Sequence, residues 1–432
     1  STEEMRVTTT AATVPPPLPR EGDGAQQWTT VRRLLAMLVL PVALAVAPSS
    51  PAPGAEAPLP GVQQLLDARA AAVRAGDRAG FLATIDPEAT AAFRDGQIRS
   101  FEGLASLPLA SYALEAHTFD TGDLSSAARR YGAARVFLPE TRQVYRMTDY
   151  DDRDAVETLW LTFVERNDRW FVASDSDLDA LGLESSRQLW DLGPVRLQRT
   201  EHFLVISHPE QADRAAALAS IAEEGAAALS RVWDQPWSGR IPLVLPGSAQ
   251  ELQRILQSTV DLDKFVAFVA YSAVDEIEFQ VTAPRIFIQD ERLARYGRPF
   301  QVSTLVHELS HAAAVPLVGP FIPAWVHEGV AEWVATGRPT KEARPRGGDA
   351  ELPRDHDFTT GPAESIVRSY GESRAAVSLL AAEKGLGVPS AFLRALGEAR
   401  VEPGSTDYRV DAALRSVAAT GLGELQERWT QR

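Results

Sequence analysis

The chain contains no cysteine among its 432 residues. Disulfide bonds and thiolate metal sites are therefore excluded, and only histidine and carboxylate side chains remain as strong metal ligands. Basic residues are also few, since 43 Lys and Arg accompany 58 Asp and Glu and the net charge is −15. No cluster of Lys and Arg offers a phosphate-binding face, so we do not expect nucleic acid among the partners.

The chain also lacks a clear membrane span near its N-terminus. Residues 34–47 form an apolar run that follows two arginines and is interrupted only by Pro41. As a helix, this run would extend about 21 Å, less than the roughly 30 Å of a bilayer core. It is typical of the core of a signal peptide, with cleavage near Ala47 or Ala57, and an uncleaved anchor is the alternative. Either case predicts an extracellular or cell-surface location.

Two domains are predicted after a lead, signal and linker segment of residues 1–60. Residues 61–187 begin with helical spacing and continue with alternating strands, including a hairpin over residues 156–173 with a polar turn at residues 166–169. Helices followed by a curved antiparallel sheet resemble the NTF2-like α+β cone. Residues 188–432 form the second predicted domain.

The clearest chemical motif is His-Glu-Leu-Ser-His at residues 307–311. The residues before it are apolar and free of Pro and Gly, which predicts a helix over about 301–315 that the following prolines end. Positions four apart on a helix lie one above the other, so His307 and His311 can bind the same metal ion. Glu308 lies about 100° around the axis, beside the metal rather than on it, which suits a general base.

Catalytic zinc takes three protein ligands and keeps a fourth position for water, whose pKa the metal lowers to about 7. A third ligand must therefore come from another segment. Residues 316–323 hold three prolines and a glycine, which predicts a turn. Residues 324–336 restore helical spacing, and Gly337 is placed to end this second helix. Glu328 and Glu332 would then share one of its faces.

This arrangement resembles the gluzincin metallopeptidases, in which His-Glu-x-x-His is followed by Glu-Gly-x-Ala-Glu on the next helix. It is most similar to the bacterial peptidase-MA-like proteins, which carry Trp-x-x-Glu-Gly-x-Ala after the zinc helix. The resemblance implies that Glu328 is the third ligand of one zinc ion per chain and that Glu332 orients a zinc-bound histidine. The implied domain has a mixed sheet and a mainly helical C-terminal part. His327 stands where M1-type enzymes usually have Asn, which argues against that subgroup, and we predict for it a packing or rim role.

Peptide hydrolysis also needs a donor for the oxyanion, which gluzincins often place well downstream of the zinc helix. Peptidase-MA-like proteins carry a tyrosine at a place comparable to Tyr370, which begins a predicted helix over about 369–384. Tyr370 is therefore the candidate donor, with packing at the helix start as the alternative. His356 is the second candidate, in the connection over residues 337–362, which could rim the cleft.

Substrate alignment is expected from an edge strand before the zinc helix. Residues 278–281 and 285–289 alternate polar and apolar side chains, which predicts two strands. The second stands where the family places the edge strand that pairs with an extended peptide.

These features predict an exported zinc-dependent metallopeptidase of α+β fold that cleaves peptide or protein substrates. Glu308 would take a proton from the metal-activated water, and Tyr370 would stabilise the oxyanion. The membrane would be involved only through the N-terminal anchor. The alternative is a non-catalytic cell-surface binding module with a structural or vestigial zinc site, in which the N-terminal domain carries the function. The presence of Glu308 favours the enzyme, because a structural zinc site does not use a base.

Overall fold

The computed structural model describes residues 36–40, 59–117, 129–133, 135–258, 262–275, 280–319, 322–337, 351–398 and 406–431. The fold is mixed α+β, which confirms the predicted class. The strands are β1 (Ala36–Leu40), β2 (Leu109–His117), β3 (Arg135–Phe137), β4 (Glu140–Met147), β5 (Ala155–Trp160), β6 (Thr162–Arg166), β7 (Arg169–Ser174), β8 (Arg196–Arg199), β9 (Phe203–Ser207), β10 (Ile241–Leu245), β11 (Phe265–Asp275) and β12 (Gln280–Ile288).

Helices precede, connect and follow these strands. They are α1 (Pro60–Ala75), α2 (Arg78–Leu82), α3 (Ala91–Ser106), α4 (Leu189–Leu192), α5 (Ala212–Leu229), α6 (Ala249–Leu256), α7 (Asp290–Leu293), α8 (Arg298–Ala314), α9 (Ala324–Thr336), α10 (Ala363–Lys384), α11 (Val388–Glu398), α12 (Thr406–Ala418) and α13 (Leu422–Gln431).

The N-terminal part packs three helices against two antiparallel sheets with strand orders β2-β4-β5 and β3-β6-β7. The predicted hairpin is present between β6 and β7, and both turn residues, Asn167 and Asp168, have positive φ angles of 49° and 62°. This is the backbone of a type I′ turn, which matches the twist of the flanking strands. The first predicted strand, residues 156–165, is wrong as a single element. It divides at Leu161, so that β5 pairs with β4 and β6 pairs with β7.

A six-stranded mixed sheet forms the centre of the C-terminal part, with the order β1-β11-β12-β10-β9-β8. Strand β10 runs parallel to both β9 and β12, whereas β11 runs antiparallel to β12. Every residue of β9 and β10 is buried, as expected for apolar runs at the centre of a covered sheet. Helix α5 packs against β9 and against α8, so the sheet and α5 support the helix that carries residues 307–311.

The two strands predicted over residues 278–289 form one strand instead. β12 continues through Pro284, and it lies between β11 and β10 rather than at the edge. Proline is tolerated here because Pro284 lies outside the part of β12 that pairs with β10. On the side away from β10, β12 pairs with β11, and the other edge of β11 pairs in parallel with β1, which belongs to the predicted signal segment. The rest of that segment lies outside the described residues.

The N-terminal part contacts the β11–β12 pair directly. Asp151 forms a two-pronged ion pair with Arg285 of β12, with distances of 2.6 and 2.8 Å. The hydroxyl of Ser272 in β11 donates to Glu157 of β5 at 2.8 Å. The N-terminal part thus supports the two strands that pack against α8.

The chain ends in helices, as predicted. Among the described residues, no single helix is long and apolar enough to cross a membrane, while α10 and α11 meet that test only as a pair bent by 111°.

Candidate metal centre

Helix α8 holds both histidines of the motif. Gly297 precedes the helix and Pro299 lies in its first turn, where proline costs no hydrogen bond. The helix ends at Ala314, and the 3₁₀ turn Val315–Leu317 follows, in agreement with the predicted helix and turn. The side chains of His307 and His311 are fully buried on the face that α9 covers.

Helix α9 supplies the carboxylates. It covers the residues predicted for the second helix, and Gly337 ends it in the left-handed conformation, with φ at 65°. Asp355 stabilises the N-terminal end of α9, because its carboxylate accepts a hydrogen bond from the backbone N–H of Ala324 at 2.8 Å. The segment that contains Asp355 therefore helps to fix the start of the helix that carries Glu328.

Three potential ligand atoms converge between the two helices. Nε2 of His307 lies 3.0 Å from Nε2 of His311 and 3.2 Å from Oε2 of Glu328. The third side of this triangle, from His311 Nε2 to Glu328 Oε2, measures 3.4 Å. Tetrahedral ligand atoms about 2.0–2.1 Å from zinc lie roughly 3.3 Å apart, so the triangle has the size that a metal ion requires. This buried group could hold a metal ion.

The charges of the cluster suit a cation. Burial alone would raise the pKa of Glu328, but His311 and His307 hold it well below its usual range. Burial lowers the pKa of His311, which leaves its imidazole neutral. Burial alone would also lower the pKa of His307, but the side chains of Glu328 and Glu332 raise it to about 10. Metals bind ionised carboxylate and neutral imidazole, so Glu328 and His311 are already in the ligand form, whereas His307 must lose a proton when an ion binds.

The far side of His307 is held by a second carboxylate. Oε1 of Glu332 lies 3.1 Å from Nδ1 of His307, and Arg374 of α10 lies 3.9 Å from the other carboxylate oxygen. A carboxylate at Nδ1 fixes the ring orientation and leaves Nε2 for the metal. Glu332 thus lies where the resemblance places it, and Arg374 is an addition that the sequence did not indicate.

Glu308 is completely buried beside the ligand triangle, and both its carboxylate oxygens lack a hydrogen-bond partner among the described residues. Burial raises its pKa to about 8, with further increases from Glu328 and Glu332. A buried carboxylate without a partner is costly for stability, and such groups concentrate at functional sites. Glu308 is therefore available to exchange a proton with a bound molecule.

Gly329, next to the third ligand, allows α9 to lie close to α10. A Cβ atom at this position would come within 2.7 Å of the Ser373 carbonyl oxygen and 2.9 Å of Val377 Cγ2. We expect Gly329→Ala to destabilise the protein by about 1–3 kcal/mol in urea unfolding, since the helices must separate. Gly371→Ala is the matched control, because Gly371 lies in α10 with no atom within 4 Å of the added Cβ. Equal stability of the two variants would contradict this account.

Tyr370 faces the same cluster from α10. This helix begins at Ala363, so Tyr370 lies in its second turn rather than at the predicted start. Its ring centroid is 6.1 Å from that of His307, it packs edge-on against Phe358 at 5.2 Å, and its buried hydroxyl has no partner in the described structure. The position of Tyr370 is thus compatible with both predicted roles, packing within α10 and donation of a hydrogen bond to the oxyanion. The other candidate donor, His356, has a side chain that is 73% exposed and lies beside Asp357.

Two further residues reach the cluster. His327 packs against His311 with ring centroids 4.4 Å apart and ring planes tilted by 32°. Burial lowers its pKa to about 3, so it is neutral. Tyr271 of β11 has a buried hydroxyl whose pKa is raised by burial and then by Glu328 and Glu308. From the sequence we predicted a packing or rim role for His327, and its contact with His311 is a packing role, but Tyr271 was missed. The apolar run from Phe265 to Tyr271 could have identified the strand, although not its direction.

Comparison with known proteins adds no relatives: no protein-family model matches the chain, and no curated protein is significantly similar to it.

Proposed function

We propose that this protein is an exported zinc-dependent metallopeptidase. The observation that carries the proposal is the triangle of His307, His311 and Glu328 ligand atoms, with the unpartnered carboxylate of Glu308 beside it. A structural metal site has no use for such a carboxylate, whereas peptide hydrolysis needs a base at this place. Zinc is the metal of choice here because the ligands are two imidazoles and one carboxylate.

His307, His311 and Glu328 would hold the ion, with Glu332 orienting His307. A bound zinc ion would supply Lewis-acid chemistry, polarising water and the scissile carbonyl. Glu308 takes the proton from the attacking water and passes it to the leaving amine, and its carboxylate is free for this role because neither oxygen has a hydrogen-bond partner among the described residues. Tyr370 keeps its proton, because burial raises its pKa well above the usual value, and it donates to the oxyanion.

The domain assignments and the location belong to the same proposal. Three helices followed by antiparallel sheets support an NTF2-like fold for residues 61–187, and a mixed sheet followed by helices supports a gluzincin-type fold for residues 188–432. We infer export from the apolar segment at residues 34–47. Because β1 of that segment pairs with the outer edge of β11, removal of the leader would free this edge for an extended peptide.

A peptide library tests the proposal directly. We expect the purified protein, with one zinc ion per chain by metal analysis, to cut a mixed peptide library, with the cut sites read by mass spectrometry. Chelation should remove both the metal and the cleavage, and added zinc should restore both. A protein that binds no zinc, or binds it and cuts no peptide, would instead support the non-catalytic binding module.

A further inference from the structure

Two buried tyrosine hydroxyls within electrostatic range of Glu308 and Glu328 have no hydrogen-bond partner among the described residues. Tyr271 and Tyr370 have relative exposures of 5% and 4%, and their hydroxyls have no hydrogen-bond partner among the described residues. Buried tyrosine hydroxyls usually find a partner, because an unsatisfied donor loses the hydrogen bonds it made to water. A bound ligand is the simplest partner for both.

This property distinguishes the two residues from the other tyrosines of the chain. In the described part, the only tyrosine hydroxyls that are buried without a partner are those of Tyr271 and Tyr370. Tyr112, for example, is equally buried, but its hydroxyl donates to Gln143 at 3.0 Å. Among the tyrosines of the described residues, the unsatisfied hydroxyls therefore belong to the two residues that interact electrostatically with Glu308 and Glu328.

The two hydroxyls approach from different elements. Tyr370 lies on α10, whereas Tyr271 lies on β11, which packs against the helix that carries Glu308. Glu328 and Glu308 influence both phenols, and burial is the larger cause of their raised pKa values. A tyrosine hydroxyl, with an ordinary pKa of about 10, is already protonated at neutral pH, so both groups can donate a hydrogen bond to an oxygen of a bound ligand.

We propose that Tyr271 is a second catalytic donor, which together with Tyr370 hydrogen-bonds the carbonyl oxygen of the scissile peptide bond. Donors from the sheet and from α10 would fix this oxygen from two directions, and both bonds strengthen as it gains negative charge. The inference rests on the proposed peptidase function and adds a residue that no sequence motif contains.

The test removes the hydroxyl alone. In Tyr271→Phe, we expect kcat for a peptide found in the library to fall about 10²-fold, with KM nearly unchanged and zinc content at one per chain. The double variant with Tyr370→Phe should lose less than the product of the two single losses, because both donors serve one oxygen. A phosphonamidate peptide, whose tetrahedral oxygens imitate the charged intermediate, should bind Tyr271→Phe more weakly in calorimetry.

Thermal unfolding of the metal-free protein supplies an independent measurement. Tyr271→Phe should not lower the melting temperature, because no hydrogen bond is lost, whereas Tyr112→Phe should lower it and leave kcat unchanged. A Tyr271→Phe protein with wild-type kcat and wild-type phosphonamidate affinity would overturn the inference, as would a fall in melting temperature equal to that of Tyr112→Phe. Failure of the wild type to cut any peptide would instead reject the proposed function, and this inference with it.

Discussion

Replacing Glu308 by Gln should abolish peptide cleavage while one zinc ion per chain remains bound. Glutamine keeps the shape of the side chain but cannot accept a proton from water, and general-base catalysis contributes about 10²–10⁴-fold to such rates. The ligand atoms belong to other residues, so metal affinity should change little. Turnover measured alongside metal content separates loss of the base from loss of the metal.

A buried glutamate distant from the ligands provides the control. Glu140 is 4% exposed and pairs with Arg142 in the N-terminal part, so Glu140→Gln should cleave peptides at the wild-type rate. Wild-type turnover in Glu308→Gln would show that Glu308 is not the general base. Loss of zinc in that variant would show that Glu308 is itself needed to hold the ion.

The helices of the site were predictable because their signals are local. The spacing of His307 and His311, the prolines after Ala314 and the glycine at position 337 all act within a few residues, and the structure places α8 and α9 within three residues of the predicted bounds. The position of α9 in the fold is not a local property. Gly329 lets α9 lie close to α10, which is a contact between distant parts of the chain, so the convergence of Glu328 with the histidines needed the family resemblance or the structure.

The sheet was less predictable because strand order depends on pairing between distant residues. The pattern over residues 285–289 correctly indicates a strand, but the local sequence does not predict that β11 pairs with it. The role of Tyr271 follows from that same pairing. Tyr271 comes within electrostatic range of Glu308 and Glu328 because β11 packs against α8, and no spacing along the chain links Tyr271 to residues 307–311. A short sequence motif such as residues 307–311 does not include residues from a distant strand.

The largest effect on stability is expected from the ion pair between the N-terminal part and β12. The Arg285 side chain is 6% exposed, and that of its partner Asp151 is fully buried, with two bonds of 2.6 and 2.8 Å between them. Asp151→Ala would leave a buried guanidinium without its counter-charge. Breaking such a pair from one side costs about 3–5 kcal/mol, so we expect a loss of this size in the free energy of unfolding by urea.

Two further variants separate the buried charge from general effects of substitution. Asp154 pairs with Arg146 at 3.0 Å, but both side chains are 42% exposed, so Asp154→Ala should cost less than about 1 kcal/mol. The double variant Asp151→Leu with Arg285→Met removes both charges and should recover most of the stability, because a buried pair replaced by apolar side chains is often neutral. An Asp151→Ala protein as stable as Asp154→Ala would contradict the prediction.

Because Arg285 pairs with Ala270, next to Tyr271 in β11, peptide cleavage should fall in Asp151→Ala even where the protein remains folded. The brace from the N-terminal part would then contribute to catalysis by holding the strand that carries the second hydroxyl.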